Sequence, residues 1–98
     1  MSETKKGYWM VMATVTDQEN YPKYIAANRL VFDKYGAKFL VRNGRSISPN
    51  EPTGDRLVVI EFDSYEKAVA CYESPEYQAA SKLQKQFSTS RLAIVEGH

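Results

Sequence analysis

Asn28 stands out because a carboxamide interrupts an apolar stripe. Tyr21, Tyr24, Ile25, Asn28, Val31, Phe32 and Tyr35 recur at spacings of three and four, which marks one face of a helix. A buried amide needs hydrogen-bond partners, or it costs on the order of 1–3 kcal/mol. Asn28 therefore either bonds to its own fold or presents a donor and an acceptor to a pocket. Two charges pose a similar choice. Glu61 and Arg42 fall within runs that read as sheet strands. A buried charge is normally paired, so Glu61 is expected to meet Lys38 or Arg42, in one chain or across a dimer. If they are free instead, Arg42 suits a substrate carboxylate and Glu61 a general base. These two are the candidate catalytic residues.

Seven tyrosines are many for 98 residues. Six of them (Tyr21, Tyr24, Tyr35, Tyr65, Tyr72 and Tyr77) fall on the inner faces or ends of expected helices, where each offers an apolar body and a hydroxyl. They either pack at a helix–sheet boundary or line a cleft for a small aromatic or lactone-like molecule. Asn28, Tyr72, Trp9 and Tyr24 are the residues expected to line it. The single cysteine, Cys71, reads as a buried structural thiol, since no internal histidine can activate it. With one cysteine and one histidine, His98, no transition-metal site is expected, and no cofactor. Arg45 and Arg56 flank or lie in a loop without a glycine-rich phosphate motif and read as solvated charges.

The elements that must position these groups follow from periodicity and punctuation. Tyr8–Val15 is a continuous apolar run of strand length. Pro22 lacks an N–H and fits only the first turn of a helix, so the first helix is expected to cap at Asn20, after a separate turn at 17–20, and to stop at Gly36. Ala37–Arg42 and Leu57–Phe62 read as strands, with a Pro- and Gly-rich loop over 43–56 between them. Ser64 caps a second helix carrying Tyr65, Ala68, Val69 and Tyr72. Ser74 precedes Pro75 and caps a third, to about Phe87, with Tyr77, Ala80, Leu83 and Phe87 inward. Arg91–Val95 is the last strand. Residues 1–6 read as a frayed start and 1–98 as one domain.

This order is β-α-β-β-α-α-β, or βαββαβ with the broken helix taken as one layer. It is the ferredoxin-like split unit, an α+β fold with helices on one face of a four-stranded antiparallel sheet. The other face is not polar. Tyr8, Met10 and Met12 alternate with Trp9, Val11 and Ala13, and the run 57–62 is apolar in both registers except at Glu61. A sheet apolar on both faces needs a second cover, and a second copy of the chain is the economical one. A homodimer through the sheet face is therefore expected.

Composition excludes some partners. Thirteen basic and twelve acidic residues leave a net charge of +1, too little to steer the chain to nucleic acid or an anionic membrane. The N-terminal residues are polar with no apolar run behind them, so the expected location is cytoplasmic. What remains is a small organic ligand. Gly7-Tyr8-Trp9, Val15-Thr16-Asp17, the run from Tyr35 to Gly44, Leu57–Phe62 with Ser64-Tyr65, Cys71–Gln78 and Ile94–Gly97 together resemble the family called domain of unknown function thirteen-thirty, within the dimeric α+β barrel superfamily. The resemblance covers about Gly7 to Gly97, with a departure at Pro22. It implies a homodimeric ferredoxin-like barrel. Relatives in the superfamily include cofactor-free monooxygenases, muconolactone-type isomerases and haem-binding enzymes, the last relying on a helical histidine that this chain lacks. Two readings of function follow: a metal-free enzyme of the cofactor-independent oxygenase or isomerase type, or a non-catalytic ligand-binding or interaction dimer.

Overall fold

A computed structural model describes residues 4–98. Its elements are β1 (Gly7–Val15), α1 (Tyr21–Tyr35), β2 (Lys38–Arg42), β3 (Arg56–Phe62), α2 (Tyr65–Glu73), α3 (Pro75–Phe87) and β4 (Ser88–Glu96). The strands form one antiparallel sheet in the order β2-β3-β1-β4. Thr4–Lys6 precede the first strand; the rest of the start expected to fray, residues 1–3, lies outside the described residues. Among the described residues no helix is long and apolar enough to cross a membrane.

Helix boundaries follow local chemistry. At the start of α1 the Asp17 carboxylate accepts from the Asn20 backbone N–H at 3.1 Å and from its side-chain amide at 2.8 Å, which closes the turn before Pro22 enters the first helical turn. Asn20 is the cap residue, but its side chain caps nothing. Gly36 ends the helix with a left-handed φ of 69°. Ser64 Oγ accepts from Lys67 N, and Ser74 Oγ accepts from Tyr77 N while donating to Cys71 O, so one serine closes α2 and opens α3.

Three expectations change. β4 starts at Ser88, three residues earlier than Arg91, because Ser88, Thr89 and Ser90 pair with Val15, Thr14 and Ala13 despite their loop-like composition. In α2 the core-facing residues are Ala68 and Cys71, while Tyr65 is exposed and Tyr72 half-buried. In α3 the buried stripe is Tyr77, Ala80, Ser81 and Gln84, with Leu83 and Phe87 only partly buried, so the helix turns one position further than its apolar residues indicate.

The sheet sorts residues by face. Trp9, Ala13, Val58, Ile60 and Phe62 are buried beneath the helices with Tyr24, Val31, Phe32 and Tyr77. Met10, Met12 and Val95, on the opposite face, remain 39–48% exposed. The molecule is a slab 17 Å in its shortest dimension, one helix layer on one sheet.

The register of β2 decides where its charges go. Lys38 pairs with Glu61 and Phe39 with Ile60, but Val41 then pairs with Val59, leaving Leu40 as an extra residue in a β-bulge. The bulge carries Arg42 opposite Val58, onto the helix-covered face, instead of opposite Leu57. The loop between β2 and β3 crosses the end of the open face. Gly54, at φ 110°, sits so close that a Cβ would lie 2.6 Å from the Ala13 carbonyl oxygen.

Candidate functional site

A small chamber of about 40 Å³ lies between α1 and the sheet. Asn28, Tyr21 and Tyr24 come from α1, and Trp9, Val58 and Ile60 form its floor. Arg42 and Arg56 stand on β2 and β3, and Gln84 enters from α3. A volume of this size admits about three water-sized groups.

Trp9 is 1% exposed, and its indole N–H donates to Ala68 O at 2.9 Å. Its polar atom is thus used by α2, and its ring serves as an apolar floor. The Phe32 and Tyr77 rings meet it edge-on at 5.3 and 4.9 Å. Tyr24 and Tyr77 join hydroxyls at 3.0 Å inside the core. Burial raises both phenols above their ordinary pKa, so the pair stays protonated at neutral pH and one hydrogen remains to be offered elsewhere.

Asn28 is 8% exposed and Gln84 9%. Burial raises the Tyr24 phenol, and hydrogen bonds from the Tyr77 hydroxyl and the Asn28 amide offset part of that rise. Among the described residues no fully sealed side-chain nitrogen or oxygen lacks a partner. Asn28 and Gln84 both border the chamber.

The rim is cationic. Arg42 lies over the Phe39 ring at 4.8 Å and Arg56 over the Tyr21 ring at 5.6 Å. Among the described residues neither guanidinium has a carboxylate within 4.0 Å; the ion pairs are Lys6–Asp63, Lys34–Glu76 and Lys67–Asp63. Arg56 also hydrogen-bonds the Tyr21 hydroxyl, and two aromatic-supported guanidiniums without a carboxylate partner among the described residues suit a carboxylate arriving from solvent.

The expected site residues thus separate into groups. Asn28, Trp9, Tyr24 and Arg42 share the chamber. Tyr72 stands apart, on a 480 Å³ cleft between α3 and β4 with Lys85, Ser88 and Thr89; Gln84 and Tyr77 border that cleft too. Glu61 is on the opposite face of the sheet. It faces Lys38 without an ion pair and accepts instead from the Tyr8 hydroxyl at 3.0 Å. Arg42 and Glu61 are therefore not a pair, because the bulge separates them by a face. Arg56 and Gln84 complete the chamber and were not among the residues expected there. Arg56 continues the alternation of Val58, Ile60 and Phe62, and Gln84 lies seven residues from Tyr77, so each shares its neighbours' face. Cys71 is fully buried, and burial pushes its thiol up to about 12. Among the described residues no group of three or more His, Cys, Asp or Glu gathers to hold a metal.

The fold and its chamber define an α+β protein of the ferredoxin-like class with a small polar pocket under its first helix. The family model for a domain of unknown function, DUF1330, matches residues 6–98, and the chain belongs to that family. Solved structures agree on the fold. A protein of unknown function from Rhodopseudomonas palustris is 18% identical, with 98% of this chain and 85% of that one covered, at a TM-score of 0.75. A dimeric ferredoxin-like protein of unknown function from Thermobifida fusca is 12% identical over 99% and 95%, at 0.65. SnoaB, a cofactor-independent oxygenase from Streptomyces nogalater, is 11% identical over 97% and 95%, at 0.64. No curated protein matches.

Proposed function

We propose that the chain is a homodimer that binds a small organic carboxylate between α1 and its sheet. The observation that carries the reading is the rim: Arg42 and Arg56 border one chamber with the buried Asn28 amide, and among the described residues neither guanidinium has a carboxylate within 4.0 Å. The carboxylate sits at Arg42 and Arg56, and the rest of the molecule enters toward Asn28.

The dimer rests on the open face. Its surface of 6867 Å² exceeds the roughly 5,700 Å² of a compact monomer of this mass by about 1,200 Å². A stable interface removes about 800 Å² per partner, so the excess is enough for one. Met10, Met12, Leu57 and Val59 border a 670 Å³ apolar trough beneath Ile47, which is itself 87% exposed. The T. fusca relative is described as dimeric.

Catalysis is the second reading, favoured by the Tyr24–Tyr77 pair. A neutral hydroxyl beside the chamber can donate to an oxygen that gains negative charge. The chamber holds no carboxylate or imidazole to take a proton, and Glu61 is on the wrong face, so binding is the stronger reading. Titration with butyrate and with neutral butyramide, followed by amide NMR shifts, tests it. Butyrate should move the resonances of Asn28 and Arg42 with a Kd of about 1 mM, butyramide should not, and Arg42→Gln should weaken butyrate about tenfold. Equal binding of acid and amide would overturn the reading. Conversion of the bound acid, lost in Tyr24→Phe, would make the protein an enzyme.

A further inference from the structure

The open face of the sheet carries two charges whose placement fixes how a second copy meets it, a step that rests on the dimer proposed above. Tyr8, Met10 and Met12 of β1 face outward, and the register sets Glu61 of β3 beside Tyr8 and Arg91 of β4 beside Met12. Met10 lies midway, flanked by Val59 and Ala93. At 48% it is the most exposed large apolar side chain of the two central strands. Glu61 and Arg91 therefore stand diagonally about Met10, each one strand and two residues away. With strands about 4.8 Å apart and residues about 3.4 Å apart, each is about 8 Å from Met10 and the two are about 17 Å from one another. They are too far apart to pair within one chain, and among the described residues neither has an ion-pair partner.

An interface of about 800 Å² per partner has a radius of about 16 Å, so both charges fall inside it when Met10 is its centre. An unpaired charge there is costly. A two-fold axis between two facing sheets, passing over Met10, has four simple settings. Set along the strands, it lays Glu61 on the partner's Val95 and Arg91 on the partner's Leu57. Set across them, it exchanges those two apolar contacts. Set along the diagonal from Glu61 to Arg91, it stacks each charge on its own copy. Only the axis perpendicular to that diagonal sets Glu61 opposite the partner's Arg91, and symmetry then makes the contact twice. We infer that two copies pair their sheets about a two-fold axis over Met10, closed by two reciprocal ion pairs between Glu61 and Arg91, with their strands crossing at about 70°. The same axis carries the partner's Lys38 to the polar trough lined by Thr14, Thr89, Glu51 and Asp55, where it also meets carboxylates.

Charge reversal tests the contact because it is reciprocal. Glu61→Arg brings two cations together at each contact, and Arg91→Glu brings two anions together. Each variant alone should dissociate, with a dimer Kd at least about a hundredfold above the parent's in sedimentation. Mixed in equal amounts, the two should form a heterodimer of near-parent affinity, since each contact then joins opposite charges; native mass spectrometry identifies it. Glu61→Gln, which keeps an acceptor for the Tyr8 hydroxyl, and Arg91→Gln serve if a reversal does not fold. The double Gln variant should then dimerise no more weakly than either single one. Reversed variants as dimeric as the parent overturn this inference alone, as do variants that dissociate and do not recombine. A parent chain that sediments near 11 kDa takes the dimer reading down with it.

Discussion

Asn28→Leu separates the two roles open to that residue by the sign of one number. The side chains have the same count of non-hydrogen atoms and the same branch point, so the exchange replaces two polar atoms with two methyls. If the amide holds α1 to the sheet, the change breaks native hydrogen bonds and leaves their partners buried, a loss of about 1–3 kcal/mol. If the amide serves the chamber, the bond it gives up is the one to the Tyr24 hydroxyl, itself at the chamber wall. Asn28 is 8% exposed and shares the chamber with Trp9, Ile25 and Phe32, so a leucine gains apolar contact that outweighs the single bond given up. The net gain is about 1 kcal/mol, which in a chain of this size raises the melting temperature by about 4–8 °C. Thermal unfolding followed by circular dichroism reads it, with variant and parent at equal concentration because an oligomer's Tm depends on concentration. A rise in Tm joined to altered binding of butyrate is the expected pattern, a site that holds its geometry at the expense of stability. A fall of several degrees would refute the reasoning, since it would mean that the amide's bonds are what hold α1 to the sheet.

Other perturbations have equally definite outcomes. Met12→Glu places a charge on the open sheet face, where one chain leaves Met12 39% exposed; the chain should stay folded and sediment near 11 kDa, while a dimer surviving the change would put the interface elsewhere. Gly54→Ala forces a Cβ against the Ala13 carbonyl at a φ of 110°, so it should lower stability by about 1–3 kcal/mol; an unchanged Tm would mean that the loop does not rest on β1. Cys71 is raised from 9.0 to about 12, and Tyr24 and Tyr77 are raised from 10.0, so all three are neutral when folded. Their contribution is complete below pH 9 and is lost as pH climbs from 9 toward 12, by up to about 1.4 kcal/mol per unit for each group. Urea unfolding at pH 8, 9.5 and 11 should show that decline, and stability that rises over the range would contradict it.

The sequence was most legible where periodicity and punctuation coincide. Pro22, Gly36, Ser64 and the Ser74-Pro75 pair each fix a backbone state by covalent geometry or capping, and helix ends fall where they require. The α1 stripe placed Asn28, Tyr24 and Trp9 around one volume because helical spacing and strand alternation are local rules. Arg42 was misplaced because one inserted residue in a strand is set by pairing with β3 and leaves no mark in composition. Tyr72 was assigned inward with Val69, but Ala68 and Cys71 hold α2 close to the sheet and leave the larger ring at its flank. Gln84 escaped notice because a glutamine on a helix ordinarily points to water, and only the packing of α3 against α1 buries it.

The bulge in β2 has a bearing on solubility. Without Leu40 the remaining residues would still set Lys38 opposite Glu61 and Arg42 opposite Val58, so a chain shortened by that one residue keeps its chamber and its rim. What it would lose is the irregular outline of an outermost strand whose Phe39 and Val41 are 37% and 42% exposed. A straight apolar border with unpaired N–H and C=O groups is a template on which another strand can add, and an extra residue spoils that match. Leu40 thus breaks the straight outline that a neighbouring strand would need in order to add at this edge.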